Sequence, residues 1–297
     1  MNKLDFVCVG AQKSGTTALD GILRYQVSDV VLPCIKETKF FHDDYRDQYK
    51  RGLSYYWSEY FPDSDGGGVF GEIDPEYLFF SECAGRLYQA NPEMKIVVML
   101  REPIQRAISH YQMSVFRGYE GLDFSTAVRK EKDRMTLGEK QINHFSYYSR
   151  SNYIPQLNRY IQFFGKENIK IIISEEFKKN DVLVVNEILE HIGSKRRLDG
   201  ILFNKSSANS AKESRWPFLN RIINSNSKIK SAAGVLIDEK KRVAVKKMIM
   251  SINSVPITSE KVEVEVDEEV GADFLSLKKN VLEYLKDEFS IDATKFW

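Results

Sequence analysis

Residues 6–17 read FVCVGAQKSGTT, a short apolar run followed by a loop rich in glycine and hydroxyl side chains. The apolar run has the length of a buried strand, and the residues that follow, TTALDGILRYQ (16–26), have the apolar spacing of a helix. A strand, a glycine-containing loop and a helix in this order commonly bind phosphate groups, because the N–H groups that begin the helix point at the anion. The stretch therefore predicts an anion-binding loop at residues 10–17.

The lysine of this loop stands in an unusual place. Gly10 and Gly15 have the spacing of the nucleotide-binding pattern GxxxxGK[ST], and Thr17 takes its Ser/Thr position. Thr16 stands where that pattern has lysine, and Lys13 lies in the middle of the loop instead. A lysine and two hydroxyls still supply hydrogen-bond donors to an anion. The alternative is an ordinary strand-to-helix turn, since glycine fits turns and threonine caps helices.

Further apolar runs alternate with helical segments along the chain. A helix is predicted directly after the third of these runs, and another at 151–164. This alternation predicts an α/β fold of the P-loop-like, three-layer kind, with a central, mainly parallel sheet flanked by helices. The predicted strands are VVL (30–32), VFGEI (69–73), KIVVML (95–100) and IKIIIS (169–174).

The ends of the two strongest strands bear on the choice of ligand. A nucleoside triphosphatase needs a carboxylate at a strand end to hold magnesium. KIVVML ends instead in Arg101, and IKIIIS ends in Ser174, with Glu175 and Glu176 beyond it. Because arginine suits a phosphate better than a metal ion, the pattern predicts a phosphorylated nucleotide that is bound without a metal.

Composition excludes several classes of protein. The 297 residues carry a formal net charge of +1, which gives no reason to expect a nucleic acid partner. The cysteines, 3 in number and widely spaced, do not form a disulfide or zinc pattern. We find neither a signal peptide nor an apolar run long enough to span a membrane, and therefore expect a cytoplasmic protein. Composition does not indicate the oligomeric state.

The motifs together resemble the sulfotransferases that use 3′-phosphoadenosine 5′-phosphosulfate (PAPS), in particular their heparan-sulfate-type branch. GAQKSGTTAL resembles the 5′-phosphosulfate loop of that family, and REPIQRAISHY resembles its 3′-phosphate motif, RxPxxRxxSxY. KETKFF resembles the KEPxFF stretch, and GEIDPEYLF resembles the E-x-[TD]-P-x-Y segment. SNYIPQLNRYIQFFGKENIKIIISEEF resembles the helix–strand unit that follows. The motifs occur in the expected order over residues 5–180.

The resemblance implies roles for the donor-binding residues. The loop would hold the 5′-phosphosulfate, and Arg101 and Ser109 the 3′-phosphate, with Arg106 either assisting or making an ordinary ion pair. Tyr153 would lie against the nucleotide unless it is simply packed. The late basic loop would cover the nucleotide with Lys212 and Arg215. The loop residues concerned are Gln12, Lys13, Ser14, Gly15, Thr16 and Thr17.

The resemblance also implies the catalytic residues. Lys13 would stabilise the charge that grows on the leaving phosphate, and Lys36 would approach the transferring sulfonate or the acceptor. Glu72 aligns with the catalytic base, where a carboxylate in a buried strand could have a raised pKa. The alternative is a carboxylate that merely pairs with a neighbour. His42 is the second candidate for the base, since another branch of the family uses histidine.

The acceptor is left open between a small metabolite, a secondary natural product and a saccharide or lipid-linked precursor. No basic cleft or anchor of the glycosaminoglycan-modifying relatives is visible, which argues against a heparan-like acceptor. The aromatic stretches at 40–45 and 142–153 either line an acceptor pocket or belong to the core. Two other classes remain: a magnesium-dependent small-molecule kinase with a degenerate loop, and a nucleotide-binding relative without catalysis.

The remaining segments complete the predicted organisation. Residues 36–62 are predicted to be an irregular binding loop, and residues 204–215 an exposed loop. A basic helical region to about residue 250 and a terminal helix at 274–288 follow. No linker divides the chain, so residues 1–297 are predicted to form one domain. Its cofactor-binding core spans about 5–180, and the region from about 200 to 297 completes the site.

Overall fold

A five-stranded sheet, parallel throughout, organises the computed structural model. The model describes residues 3–42, 47–62, 67–201, 212–214, 254–256 and 264–297. The strands pair in the order β2-β3-β1-β4-β5, and each neighbouring pair runs parallel. The bounds are Phe6–Gly10 for β1, Val30–Val31 for β2, Val69–Ile73 for β3, Lys95–Leu100 for β4 and Ile169–Ile173 for β5. Because β1 lies in the centre, the loop that follows it emerges in the middle of the sheet's carboxyl edge.

Close packing fixes the register between β1 and β3. Phe6 pairs with Gly71 and Val7 pairs with Glu72. A Cβ atom at position 71 would lie 1.9 Å from the ring of Phe6, so that a side chain cannot be accommodated there. The absent side chain at Gly71 thus lets the central strand bury its phenylalanine, and it places Glu72 beside Val7.

Helices alternate with the strands along the described part of the chain. Short 3₁₀ turns in that part lie at Gln48–Arg51, Ser149–Ser151, Lys166–Asn168 and Ala293–Lys295. Within the described residues, the helices are α1 (Thr16–Gln26), α2 (Gly52–Tyr60), α3 (Ser81–Ala90), α4 (Pro103–Phe116), α5 (Phe124–Arg129), α6 (Glu131–Met135), α7 (Glu139–Phe145), α8 (Tyr153–Phe164), α9 (Ser174–Lys179), α10 (Asp181–His191) and α11 (Glu268–Phe289).

The apolar core of the sheet layer is continuous from strands to helices. Side chains of β1, β4 and β5 pack with the apolar faces of α1 and α10 in one cluster. Burial of such apolar surface is the main stabilising contribution to a fold of this size. The cluster includes Phe6, Cys8, Leu19, Ile22, Val97, Met99, Ile172, Val185 and Ile188.

The chain divides into two compact units. The first contains the sheet and comprises residues 1–106, 148–209 and 273–297. The second comprises residues 107–147 and 210–272, and in it two short antiparallel strands, β6 (Lys212–Ser214) and β7 (Ser254–Pro256), pair with each other. The expectation of a single domain over the whole chain stays a prediction. Within the described ranges, no helix is both long and apolar enough to cross a bilayer.

Most of the predicted elements are confirmed, and three segments differ. Residues 36–62 were predicted to be irregular but contain helix α2. Tyr56 and Tyr60 lie one helical turn apart and are both buried, so they form the apolar face of this helix. The predicted loop at 204–215 contains β6, although its remainder lies outside the described residues, as does the basic region to about residue 250. The terminal helix begins at Glu268, earlier than predicted, inside the acidic stretch.

Candidate active site

The loop predicted to bind an anion leads into a helix, α1, whose first turn no side chain caps. Gly15 takes the N-cap position with φ 98°, and no side chain accepts a hydrogen bond from the N–H groups there. The first turn of α1 carries no acidic residue. Lys13 also lies in the left-handed region, with φ 74°. Left-handed residues in a turn are a component of the concavities of backbone N–H groups that bind anions.

Hydrogen bonds hold the base of this loop to the sheet. The N–H of Ala11 donates to the carbonyl of Met99 in β4 over 2.7 Å, and the N–H of Ser14 donates back to Ala11 over 3.1 Å. The hydroxyl of Ser14 is buried and has no hydrogen-bond partner within the part of the chain that the structure describes. A buried donor without a partner is costly, and a bound anion would satisfy it.

Arg101 contacts the loop directly, and Tyr153 contacts Arg101. Arg101, directly after β4, places its Nη1 3.4 Å from the carbonyl of Lys13. Its Nε is buried and has no partner among the described residues. The hydroxyl of Tyr153 donates to the carbonyl of Arg101 over 2.8 Å, and burial raises the pKa of that phenol, so that it stays neutral.

Lys36 is joined to the loop by its side chain. Its Nζ donates to Oγ1 of Thr17 over 2.9 Å and to Oε1 of Glu37 over 2.7 Å. The side chains of Lys36 and Glu37 are 26% and 33% exposed, so both face solvent beside the loop. Glu37 was not singled out from the sequence, although it is the second residue of the KETKFF motif. Its backbone is left-handed, with φ 60°.

Glu72 lies in a closed cage. Its Oε1 accepts hydrogen bonds from the Thr38 hydroxyl over 2.5 Å, the Thr38 N–H over 3.2 Å and the Tyr77 hydroxyl over 3.0 Å. Its Oε2 accepts from the hydroxyl of Tyr56 over 2.7 Å, and the residue is 0% exposed. Burial raises the pKa of Glu72, although the hydrogen bonds from Thr38 and the two tyrosines lower it.

The buried Glu72 carboxyl gives the fold a pH dependence. Because its pKa in the folded state lies above the ordinary 4.5, proton binding favours the folded state. This contribution is fully present below the unfolded pKa and is lost as the pH rises through the folded pKa. We therefore expect wild-type protein to lose stability to urea over that rise and Glu72→Gln to lose less, measured as unfolding midpoints from pH 4.5 upward. Equal slopes for the two proteins would contradict this assignment.

Two more buried carboxyl groups follow on the same segment, and neither was singled out from the sequence. Asp74 accepts a hydrogen bond from the N–H of Lys39 over 2.9 Å, and burial raises its pKa well above the usual range. Glu76 makes an ion pair with Arg150, with 2.7 Å between Oε2 and Nη2. Burial alone would raise the pKa of Glu76, but Arg150, followed by Lys39, holds it below the usual range.

His42 occupies a packed position. Its ring lies 3.7 Å from that of Phe80, measured between centroids, and its Nε2 is 3.9 Å from a carboxylate oxygen of Glu82. Burial lowers the pKa of His42, against the opposing effect of Glu82. A buried imidazole in contact with an aromatic ring fits a structural role, and the catalytic role of His42 stays a prediction.

The remaining predicted residues are more dispersed. Ser109 is half-buried on α4 and falls in the second compact unit, so that its contact with a 3′-phosphate stays a prediction. Arg106 is fully buried, and its Nε donates to the hydroxyl of Ser151 over 2.7 Å, which ties α4 to a 3₁₀ turn. Lys212 begins β6, whereas Arg215 lies outside the described residues.

The aromatic stretches contribute mainly to the core. Phe40, Phe41 and Tyr147 are each 0% exposed, and Phe40 and Phe41 pack edge to face with 5.0 Å between their centroids. Residues 43–45 lie outside the described residues. Among the described residues, these rings therefore line the interior more than an acceptor pocket.

Comparisons with known proteins agree with the motifs. The family model described as "Sulfotransferase domain" matches residues 3–234. Heparan sulfate glucosamine 3-O-sulfotransferase 5 of Mus musculus is 28% identical over 167 residues, 56% of this chain and 46% of that protein. The membrane-associated sulfotransferase kil1 of Dictyostelium discoideum is 28% identical over 113 residues, 37% of this chain and 23% of that protein.

A solved structure is similar over most of its length. The crystal structure of a sulfotransferase from Alicyclobacillus acidocaldarius aligns with a TM-score of 0.60 and 26% identity, covering 84% of this chain and 97% of that one. By contrast, this chain spans about half the length, 46%, of the mouse protein that it matches.

Proposed function

The chain belongs to the sulfotransferase domain family, and from that premise we propose that it transfers a sulfuryl group from PAPS to a hydroxyl or amine. The observation that carries the proposal is that Lys36 and Arg101 both contact the same loop. Lys36 bonds to Thr17 at the uncapped start of α1, and Arg101 reaches the carbonyl of Lys13 at the other side of the same loop. Positive side chains on two sides of a helix N-terminus suit a nucleotide that carries several phosphates.

The residues present fit this donor. The buried hydroxyl of Ser14 and the buried Nε of Arg101 are donors without partners within the described part of the chain, and both lie at the loop. Phosphate oxygens would accept from them, from the loop N–H groups and from Thr16 and Thr17. When bound, PAPS supplies the sulfuryl group and a phosphate that leaves as adenosine 3′,5′-bisphosphate. Tyr153, through its bond to the carbonyl of Arg101, would keep the arginine in place.

The two lysines have different proposed roles. Lys13 lies within the loop and would stabilise the negative charge that grows on the leaving phosphate. Lys36 bonds the hydroxyl of Thr17 and would orient the sulfonate toward the acceptor. Interactions that strengthen as charge develops accelerate the reaction more than those that bind the ground state equally well.

The proton of the acceptor requires a base, and Glu37 is the carboxylate whose position favours this role. Glu37 is 33% exposed, and the ammonium group of Lys36 bonds both to its carboxylate and to Thr17 of the loop. Glu72, by contrast, is 0% exposed and accepts four hydrogen bonds from Thr38 and two tyrosines. A base must come within hydrogen-bond reach of the proton that it abstracts. We therefore propose Glu37 as the base and keep Glu72 as the alternative, with a structural role if Glu37 acts.

The acceptor and compartment are proposed in chemical terms. The names of the matched relatives include a glucosamine sulfotransferase, which supports a saccharide acceptor, and a small natural product is the alternative. A cytoplasmic location is supported by the three cysteines, none of which forms a disulfide. No nucleic acid partner is proposed, because the net charge is +1.

Calorimetric titration with adenosine 3′,5′-bisphosphate, compared with ADP and magnesium, tests the donor. We expect the bisphosphate to bind in the presence of a chelator and to bind more tightly than ADP. Stronger binding of ADP with magnesium would instead indicate a kinase loop. Binding of PAPS without transfer to any member of a saccharide and phenol panel would indicate the non-catalytic alternative.

Arg101→Ala provides a test of the 3′-phosphate contact. Because a bidentate arginine–phosphate pair is charge-assisted, we expect affinity for the 3′,5′-bisphosphate to fall by about tenfold or more. Affinity for 5′-AMP, which lacks the 3′-phosphate, is expected to change little. Calorimetry with both ligands measures the difference, and equal losses would contradict the assignment.

A further inference from the structure

A buried ion pair is attached to the anion-binding loop through Gln12. The Nε2 of Gln12 donates to Oε1 of Glu76 over 2.8 Å, and Oε2 of Glu76 is paired with Nη2 of Arg150 at 2.7 Å. The side chains of Arg150 and Glu76 are 2% and 9% exposed. The guanidinium also lies over the ring of Phe79, 4.5 Å from its centroid. The loop is thus bound to a charged pair that solvent hardly reaches.

The charge of Glu76 matters because of where it lies. A buried carboxylate is poorly screened, so its field acts on a dianion bound nearby. Three cationic or ionisable groups, Arg150, Lys39 and His42, face it, and the carboxyl of Asp74 lies close enough to interact with it. Arg150 makes the direct contact and is the largest of the stabilising charges. Without Arg150, the Glu76 carboxylate that bonds to the Gln12 side chain would lose its ion-pair partner.

We propose that Glu76 and Arg150 are positioning residues for the donor loop, Glu76 by fixing the Gln12 side chain and Arg150 by neutralising Glu76 so that an anion can bind beside it. The inference rests on the proposed donor. It assigns no contact with the reacting atoms to either residue. It also explains why a glutamine in the loop coexists with a buried carboxylate: the uncharged Gln12 amide donates a hydrogen bond to Glu76, while Arg150 cancels the charge of Glu76.

The test measures binding of adenosine 3′,5′-bisphosphate to purified full-length variants by calorimetry, with the folded fraction checked by circular dichroism. Arg150→Met is expected to weaken binding by about tenfold or more, because it leaves the charge of Glu76 unpaired. The double variant Glu76→Gln/Arg150→Met is expected to regain most of that affinity, since it removes the charge. A merely structural role predicts the opposite, a double variant at least as impaired as the single one.

A matched control and a second variant make the outcome decisive. Arg134→Met breaks another pair, in which Nη1 of a partly buried arginine lies 2.5 Å from Oε2 of the buried Glu120, and is expected to leave bisphosphate affinity unchanged. Gln12→Met removes no buried charge and cuts the link to the loop, and it is expected to weaken binding several-fold even if Arg150→Met does not fold. Wild-type affinity in Gln12→Met, or no recovery in the double variant, would overturn the proposal. Absence of binding by the wild-type protein would instead refute the proposed donor.

Discussion

Glu37→Gln is expected to lower kcat by about 10²–10⁴-fold, because general-base catalysis contributes on that order. Affinity for adenosine 3′,5′-bisphosphate is expected to stay within a few-fold of the wild type. Glutamine keeps the length of the side chain and its hydrogen-bonding oxygen, but it cannot take a proton from the acceptor. Steady-state kinetics with labelled PAPS and one accepted substrate measures kcat, and calorimetry measures the affinity.

Glu72→Gln is the matched comparison for this prediction. If Glu72 serves the fold, the variant keeps most of its kcat per folded molecule, and the change is found in its urea midpoint. A loss of kcat in Glu72→Gln together with near wild-type turnover in Glu37→Gln would exclude Glu37 and restore Glu72 as the base. Both variants retain the length of the original side chain, so that differences report on charge and protonation.

Lys13→Met is expected to reduce kcat by about 10²–10³-fold, the loss typical of removing one donor that stabilises developing negative charge. KM for PAPS is expected to change much less, because the loop N–H groups and Arg101 still bind the donor. The split between kcat and KM follows from the proposed position of the ammonium on the leaving group. Initial rates over a range of PAPS concentrations provide both constants.

A second lysine-to-methionine variant controls for the loss of a positive charge. Lys95 begins β4, at the opposite end of the strand from Arg101, and its Nζ donates to Asn168 over 2.7 Å. Lys95→Met is expected to leave kcat unchanged. A loss of PAPS affinity in Lys13→Met as large as its loss in kcat would mean that Lys13 binds the donor equally in the ground state.

The sheet could be predicted from the sequence because its signals are local. FVCVG, VFGEI and KIVVML are short apolar runs with polar boundaries, and they form β1, β3 and β4 with the predicted bounds. Helix α2 escaped prediction because aromatic and charged residues alternate around it, so that its buried face, Tyr56 and Tyr60, has a weak periodic signal. The polar and charged composition of the segment therefore favoured the prediction of a loop over that of a helix.

The candidate site could be predicted less completely than the fold. Lys36 and Arg101 both contact the loop that contains Lys13, and parallel topology accounts for Arg101, which directly follows β4. The contrast between Glu37 and Glu72 depended on exposure, which no spacing rule contains: one carboxylate faces solvent and the other is enclosed by side chains distant in sequence. The pair of Glu76 and Arg150 joins residues 74 positions apart, and a single sequence carries no signal for such a contact.

The left-handed backbone of Lys13 lowers the stability of the fold at a position to which we assign a catalytic role. A side chain at φ 74° is held there at a cost of about 1–3 kcal/mol, which a glycine would not incur. Selection for stability alone would thus replace this lysine, and Lys13→Gly is expected to raise the stability of the fold while it slows the reaction, if Lys13 has the role proposed above. The loop carries its lysine against the preference of its own backbone, so thermostability screens of this enzyme are expected to discard the residue to which we assign the charge of the leaving phosphate.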